Sequence, residues 1–360
     1  MIPRLYSATD TTFTSFGEPL ADCARCEVTE ERNGEFILEM EYPKDGIHAD
    51  ELEVDKIILA RPYEDADEAE PFRIVEVSSD INGLIQVNAQ HVSYQLNNII
   101  IGANSNHFTR YPATMWNTLT QEFCLSPNPF TFETDIGTVE STVKGYGSDI
   151  AHPLREYLGG MRGSMLDLFG GEFVWNRYKV KLLSARGENN GVVIAYGKNI
   201  TGLDYDVDIT EYYSGVVAYY SNGTDYVQST LQTVDDGLSY NRTIVIDASS
   251  EFAELPTQET LNTWAANYLN RNYSAPKVSV SVEFIPLWQT EEYKDYYNLE
   301  HVKLCDTVKI LYPPLNMEIT AKVVKTVYDV LLEKYTEIVV GSPKVSLEDT
   351  IASIMKELKT

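Results

Sequence analysis

Short runs of β-branched and aromatic residues, separated by Asn-Gly pairs, constrain this chain more than any other feature of its sequence. Asn33-Gly34 precedes a run in which Phe36, Leu38 and Met40 alternate with polar residues. Asn-Gly favours the two-residue turn of a hairpin, and strict alternation places one side of a strand in the core. The pattern therefore predicts a mainly β fold.

Two more hairpins are predicted from the same signals. Strand-like runs at 72–77 and 84–89 flank an Asn-Gly pair, and runs at 173–175 and 178–180 flank an Asn-Arg pair. Such runs on both sides of a short polar turn are typical of antiparallel strands. The first hundred residues are therefore expected to form a small barrel or sandwich.

Three segments carry helix start signals. Pro112 can open a helix over 113–123, Thr257 can cap one over 258–271, and Ser346 followed by Asp349 forms a capping-box pattern. Apolar residues at helical spacing follow each signal, so an amphipathic helix is expected at each, including 346–360. These residues are Met115, Trp116, Leu119 and Phe123, then Leu261, Trp264, Ala265, Tyr268 and Leu269, then Ile351, Ile354, Met355 and Leu358.

The chain contains an internal repeat of one strand pair. Residues 55–62 align with 306–313, and residues 72–80 align without gaps with 321–329. The connecting loop of the first copy, 64–70, is acidic and is expected to be solvated. Coincidence among strand-like sequences is the alternative explanation. A true repeat means that one chain carries two similar barrels, and a ring of such chains has twice as many lobes as subunits.

Length and charge bound the architecture and the partners. At 360 residues the chain exceeds one ordinary core, so two to four domains are expected. No signal peptide and no apolar stretch of spanning length is recognisable, so neither standard secretion nor membrane insertion is expected. The net charge of −26 argues against tight binding to nucleic-acid phosphates.

Four cysteines are too few for a disulfide scaffold and fit folding in a reducing cytoplasm. They are Cys23, Cys26, Cys124 and Cys305. The first two form a C-x-x-C motif, which raises redox and zinc chemistry as alternatives. No second pair stands at metal-ligand spacing, and the motif runs into a strand rather than opening a helix. Ordinary thiols are therefore the preferred interpretation.

Motifs for catalysis or cofactor binding are not recognisable. G-x-S-x-G, H-E-x-x-H and a Walker loop are absent, and the five histidines are scattered. The glycines before Ser164 could hold a phosphate at a helix start, but a turn capped by Ser164 is preferred because no lysine follows at P-loop spacing. No catalytic residue, cofactor or metal site is predicted.

Tyrosine is unusually common, with 24 in the chain and clusters at 212–213, 219–220 and 293–297. Tyrosine is enriched at protein interfaces because its ring buries apolar area while its hydroxyl stays hydrogen-bonded. Packing and subunit contacts are the preferred interpretation, and carbohydrate stacking is the alternative.

Six separated blocks resemble the phage minor structural protein family, also described as prophage tail endopeptidase-like. The blocks lie at 30–43, 72–74, 89–94, 160–167, 185–187 and 196–199, in the order in which the family has them. Their number and order make the resemblance specific, and it spans nearly the whole chain. The motif positions, taken as structural, are Asn33, Gly34, Tyr42, Pro43, Gly160, Arg162, Gly163, Arg186, Gly187, Tyr196, Gly197, Lys198 and Asn199.

The resemblance implies the N-terminal hub module of a tail-associated protein, similar in fold to the baseplate hub of contractile phages. The implied fold class is mainly β with α+β insertions, a multidomain baseplate-hub fold with two related β-barrels. Members form a trimer whose six barrels make a pseudo-sixfold ring. The expected domains are a first barrel at 1–101, an α+β domain at 102–205, a second barrel at 206–247 and 305–342, and an α+β domain at 248–304 and 343–360.

The implied function is that of a structural hub of a phage or prophage tail baseplate or tip, not of an enzyme. A homotrimer would join the distal tail protein to tip, fibre or receptor-binding proteins, with the tape measure protein as a further candidate partner. It would assemble in the bacterial cytoplasm and serve host attachment and DNA delivery in the virion.

Relatives often carry a lytic or receptor-binding extension after this module, so any lytic domain is expected beyond Thr360. A peptidoglycan hydrolase with an unrecognised site and a carbohydrate-binding module are the alternative functions.

Overall fold

Strands dominate the chain. The computed structural model describes residues 2–79, 81, 83–137, 144–161, 163–208, 212–235, 240–252, 254–272, 277–292, 301–315 and 317–341. The strands are β1 (Arg4–Tyr6), β2 (Glu18–Pro19), β3 (Arg25–Glu31), β4 (Phe36–Pro43), β5 (Ile57–Ala60), β6 (Glu70–Ser79), β7 (Leu84–His91), β8 (Ile100–Ile101), β9 (His107–Thr109), β10 (Thr131–Thr134), β11 (Lys144–Tyr146), β12 (His152–Pro153), β13 (Glu172–Asn176), β14 (Lys179–Leu183), β15 (Val193–Ala195), β16 (Ile200–Asp208), β17 (Gly215–Ser221), β18 (Tyr226–Gln228), β19 (Gln232–Thr233), β20 (Thr243–Asp247), β21 (Lys277–Phe284), β22 (Thr307–Tyr312), β23 (Met317–Asp329) and β24 (Lys334–Gly341). The α-helices are α1 (Pro112–Glu122), α2 (Leu154–Leu158), α3 (Met165–Phe169) and α4 (Gln258–Asn272). The predicted mainly β class with α+β insertions is confirmed.

The chain divides into two units. Unit 1 comprises Met1–Thr201 and Val282–Val340, and unit 2 comprises Gly202–Ser281 and Gly341–Thr360. The division into four domains stays a prediction.

A mixed sheet runs through unit 1 in the order β21-β24-β23-β3-β4-β7-β6-β5-β1-β2, and β22 joins it through β23 and pairs in parallel with β15. The long strand β23 pairs with β24, and it also pairs with β22 along its first half and with β3 along its last five residues. The second strand of the later repeat copy is therefore also paired with strands outside the repeat.

The predicted hairpins are confirmed. In β4 the side chains of Phe36, Leu38 and Met40 are buried, as their alternation indicates. β6 pairs antiparallel with β7, and β13 pairs antiparallel with β14 around a turn in which Arg177 has a φ of 51°. Alternation of apolar and polar residues thus indicates which face of a strand is buried, and with it the register of strand pairing.

Both copies of the repeat form the predicted antiparallel pair, β5 with β6 and β22 with β23. Asp55 and Cys305 precede the two first strands and have φ values of 76° and 74°. The Asp55 amide donates to the Ile74 carbonyl over 2.8 Å, and the Cys305 amide donates to the Val323 carbonyl over 2.9 Å. A left-handed residue other than glycine is uncommon, so its recurrence at one position of both copies indicates a true structural repeat.

The alignment of the first strands is corrected by one residue. The hydrogen bonds equate Asp55 with Cys305, whereas the sequence matched Asp55 with Asp306. The second strands align as predicted, because Ile74 corresponds to Val323. All four residues of β5 are buried, so its apolar pattern fits either alignment and cannot select one.

The acidic loop of the first copy is not solvated throughout. Glu70 starts β6 and is 3% exposed, and its Oε2 lies 3.2 Å from Nε2 of the buried His91. The same oxygen accepts the Arg177 amide over 2.6 Å, and the His91 ring stacks on Phe36. A buried carboxylate needs such partners, and spacing along the sequence does not reveal them.

In its described residues, unit 2 contains a small sheet that packs against the helix α4. β17 pairs with β18 and β19 antiparallel and with β20 in parallel. The helix α4 begins after Thr257, whose Oγ1 accepts the Thr260 amide over 3.2 Å. Leu261, Ala265 and Leu269 of α4 pack against buried residues of β17, as predicted.

The predicted α1 is also confirmed, with Pro112 in its first turn and Met115, Trp116 and Leu119 buried. Among the helices of the described residues, none has the length and apolar character to cross a membrane. The predicted terminal helix at 346–360 lies outside the described residues.

Replacing Thr257 by alanine removes the side-chain cap of α4. A lost N-cap costs about 1 kcal/mol. We expect faster hydrogen–deuterium exchange at the start of α4 in Thr257→Ala, while Thr257→Asp keeps the wild-type rate because aspartate also caps. Equal exchange in Thr257→Ala and the wild type would contradict the role of the cap.

Candidate functional site

Two buried carboxylates meet their cationic partners where four segments of unit 1 come together, and we call this group the charged junction. It comprises Glu30 of β3, Arg32 of the turn that follows β3, Glu172 of β13, Arg186 of the loop after β14, and Lys322 of β23. Burying a charge is costly unless it is paired and hydrogen-bonded, so these residues are expected to act as one group.

Glu172 is the acceptor at the centre of the charged junction and is 1% exposed. Its Oε1 accepts Arg32 Nε over 2.8 Å and Lys322 Nζ over 2.5 Å, and its Oε2 accepts the Arg186 amide over 2.7 Å. Burial alone raises the pKa of this carboxyl, but the bonds from Lys322 and the Arg186 amide outweigh burial and lower it. Glu172 is therefore ionised at neutral pH.

Arg186 makes the second ion pair. Its Nη1 and Nη2 donate to the two carboxylate oxygens of Glu30 over 2.5 and 3.0 Å. Burial lowers the pKa of the guanidinium, but the Glu30 carboxylate raises it above its ordinary value. A bidentate pair of this kind fixes both the position and the orientation of the arginine.

Three of the predicted motif residues meet at the charged junction. Asn33 lies in the turn between β3 and β4, where its Nδ2 donates to the Gly171 carbonyl over 3.1 Å and its Oδ1 accepts the Phe173 amide over 2.8 Å. A Cβ on Gly187 would lie 2.1 Å from the Cys305 carbonyl, so only glycine fits between Arg186 and that backbone. Asn33 of the Asn-Gly block and Gly187 of the Arg-Gly block thus both hold the backbone around the charged junction in place.

The other motif residues lie in separate places. Tyr42 is fully buried in β4 and donates to the Ile47 carbonyl, with Pro43 as its neighbour. The Gly34 carbonyl accepts Arg155 Nη2 over 3.4 Å. Arg162 lies outside the described residues. Gly160 and Gly163 form the turn before α3, and Tyr196, Gly197, Lys198 and Asn199 form the turn between β15 and β16.

Two alternatives from the sequence can be compared with the geometry. Ser164 caps α3 by accepting the Asp167 amide over 3.4 Å, which confirms the capped turn. Cys26 lies inside β3 with no exposed surface, and the neighbouring Cys23 thiol and burial raise its pKa well above the ordinary value. A thiol held protonated in a strand is a poor nucleophile, which favours an ordinary buried thiol.

Sequence reasoning missed Glu172 and Lys322. One signal was present, since Lys322 aligns with Arg73 in the repeat, and Arg73 also bonds to an acidic side chain, that of Asp55. The acceptor of Lys322, Glu172, lies 150 residues away from it in the sequence, so no local pattern indicates this ion pair.

A cavity of about 610 Å³ lies beside the charged junction. Glu30 and Arg186 form part of its wall, and Tyr63, Asp65, Lys303 and Tyr335 line it elsewhere. Burial raises the pKa of Tyr63 to about 12, so this phenol stays neutral. The cavity is lined by residues from both copies of the repeat and is a concave candidate site among the described residues of unit 1.

The tyrosine clusters separate into buried and surface groups. Tyr212 and Tyr220 are buried, whereas Tyr226 is 60% exposed and its ring stacks on that of Tyr219 at 6.0 Å. The cluster at 293–297 lies outside the described residues. Packing accounts for the buried members, and among the described residues the Tyr219–Tyr226 pair lies nearer the surface.

These features define a class of protein, namely a β-rich chain with a duplicated strand unit and a cluster of ion pairs around buried carboxylates, and solved structures share its fold. Prophage tail protein gp18 from Listeria monocytogenes EGD-e superimposes with a TM-score of 0.60 at 14% identity over 100% of both chains. The 43 kDa tail protein of prophage MuSo2 from Shewanella oneidensis gives 0.59 at 9% identity over 97% of this chain and 100% of that one. A tail protein from Neisseria meningitidis MC58 gives 0.60 at 7% identity over 97% and 98%. At these identities the likeness concerns the fold alone.

A sequence model of one family matches part of the chain. Residues 188–351, a little under half of the chain, match the prophage endopeptidase tail family. No curated protein sequence matches the chain. The family match and the shared fold confirm the predicted resemblance to prophage tail-associated proteins and support a structural role in a phage tail.

Gly187→Ala tests the close approach at the charged junction. The added Cβ has no room beside the backbone of Cys305 and Asp306, so we expect a loss of about 3 kcal/mol or more in the free energy of unfolding. Gly137→Ala is the control, because nothing lies within 4 Å of its added Cβ. Urea denaturation measures both, and equal stabilities would contradict the tight contact.

Acidification tests the role of Glu172. Its folded pKa is lowered below the ordinary value of 4.5, so its stabilising contribution is present above that value and is lost as the pH falls through the folded pKa. We expect the urea midpoint of the wild type to fall with acidification between about pH 5 and 3. Glu172→Gln should be less stable at pH 7 and show a shallower fall.

The exposed Glu122 supplies the control for this experiment. Glu122→Gln removes the same charge from unit 1 without touching the charged junction and should reproduce the wild-type curve. Identical pH curves for the wild type and Glu172→Gln would show that the Glu172 ion pairs are not important for stability.

Proposed function

We propose that this chain is the structural hub of a phage or prophage tail tip or baseplate and acts as a homotrimer. In this role it joins the distal tail protein to tip, fibre or receptor-binding proteins. Each copy of the repeat is proposed to form one β-barrel, so that a trimer presents six similar lobes around its axis.

The observation that carries the proposal is the structural repeat within unit 1. The same left-handed backbone conformation and the equivalent backbone hydrogen bond recur at Asp55 and Cys305. A chain with two similar lobes can match the sixfold symmetry of a tube while remaining a trimer. The shared fold of prophage tail proteins over nearly the full chain supports the same role.

The charged junction suits a scaffold better than a reaction centre. The carboxylates of Glu172 and Glu30 are held in ion pairs by Arg32, Lys322 and Arg186, as expected of groups that fix the packing of strands and loops. We therefore propose that the chain is not itself the hydrolase to which the word endopeptidase in the family description refers.

The oligomeric state tests the hub directly. We expect the solution mass from light scattering to equal three chains at high protein concentration, and negative-stain images to show a threefold ring with six lobes. Addition of the distal tail protein should give a complex of larger mass that contains this ring. A monodisperse monomer at high concentration would argue against the hub.

The two alternatives have their own assays. A peptidoglycan zymogram with the purified chain should show no clearing, and clearing by this chain alone would establish the hydrolase instead. Binding on a glycan array that disappears in a Tyr219→Ala, Tyr226→Ala double variant and persists in Tyr240→Ala would favour the carbohydrate-binding module.

A further inference from the structure

We propose that the cavity beside the charged junction binds an organic cation, that is, a guanidinium or a primary ammonium group. Its volume of about 610 Å³ lies within the range of small-molecule sites, roughly 300–1,000 Å³. This inference goes beyond the hub function and holds for a monomer as well as for a trimer.

The charged residues of the cavity wall favour a ligand that carries a positive charge. Glu30, Asp65, Glu188 and Asp306 are acidic, whereas Arg186 and Lys303 are the permanently basic residues of the wall. Both bases are already engaged, Arg186 by Glu30 and Lys303 by Asp65 over 2.7 Å. Glu188 and Asp306 therefore leave an excess of negative charge, and an anion would be repelled.

Asp306 is held in place before any ligand arrives. Its Oδ1 accepts the Glu188 amide and its Oδ2 accepts the Lys303 amide, each over 2.8 Å. A carboxylate has about four acceptor positions, so both oxygens can accept further N–H donors. Preorganised acceptors of this kind reduce the entropy that binding costs.

The remaining wall favours a flat or flexible cation over a bare metal ion. Tyr63 and Tyr335 line the cavity, and burial raises the pKa of both phenols, so they add aromatic surface without charge. Aromatic rings attract guanidinium and ammonium groups through their negative faces. The carboxylates supply the directed bonds, and the rings supply contact with the carbon skeleton.

Glu188 lies at the rim of the cavity and is exposed. Its carboxylate is therefore available both to solvent and to an entering cation. A cation could come from a free polyamine or from a lysine or arginine side chain of another protein. Both sources share the same chemistry, and the probes below distinguish them.

Isothermal titration of the full chain tests the site. The probes are spermidine, N-acetyl-arginine methylamide, an arginine-containing pentapeptide and the citrulline analogue of N-acetyl-arginine methylamide, which has the shape of arginine without its charge. We expect the cationic probes to bind and the citrulline analogue not to bind. Tighter binding of spermidine than of the peptide indicates a free polyamine, and the reverse indicates a protein side chain.

Two charge-matched variants complete the design. Glu188→Gln should weaken binding of the cationic probes by about 3- to 10-fold, the effect of one accessible charge. Glu122→Gln removes the same charge from the exposed end of α1 and should bind like the wild type. Both positions are exposed, so thermal melting should confirm that both variants fold.

The proposal is overturned by any of three results. The first is that no cation binds up to millimolar concentration. The second is that the citrulline analogue binds as tightly as its arginine parent. The third is that Glu188→Gln and Glu122→Gln weaken binding equally, which would show a general effect of net charge.

Discussion

The ion pairs of the charged junction are the interactions on which the rest of unit 1 depends. Glu172 ties Arg32 and Lys322 to one buried carboxylate, although these residues stand 140 and 150 positions away from it in the sequence. The two carboxylates would be costly to bury without partners, so their ion pairs stabilise the arrangement. Removing a cationic partner leaves a buried carboxylate with fewer partners, which couples segments that are far apart in the sequence.

This coupling explains why the Asn-Gly motif needs asparagine at position 33 and the Arg-Gly motif needs glycine at position 187. Asn33 bonds twice to the backbone on either side of Glu172, and Gly187 lets the Arg186 loop reach the backbone at Cys305. Neither residue needs to contact a ligand for its identity to be restricted. Both hold the loops that carry the charged side chains.

The Arg186 loop also forms part of the wall of the cavity, so the charged junction and the cavity share residues. Arg186 is neutralised by Glu30 and therefore cannot cancel the charge of Asp306 on the same wall. Because Arg186 and Lys322 pair with buried carboxylates, they do not neutralise the carboxylates that are accessible to solvent. The net charge of −26 is consistent with this arrangement and suits contact with basic partners.

The sequence by itself determined the local elements of this protein. Alternation at Phe36, Leu38 and Met40, turn residues between strands, and the apolar stripe of α4 predicted hairpins and helices that the structure confirms. These signals are local because hydrogen bonding and one-sided burial impose a short period on the sequence.

Only the tertiary structure decided which distant residues meet. The uniformly buried β5 could not reveal the one-residue shift between the repeat copies, because its pattern fits two registers. The partners of Glu172, Glu30 and Glu70 were equally hidden, since an ion pair requires proximity in space and no particular spacing along the chain. The charged junction and the cavity beside it therefore became visible only when the strands were assembled.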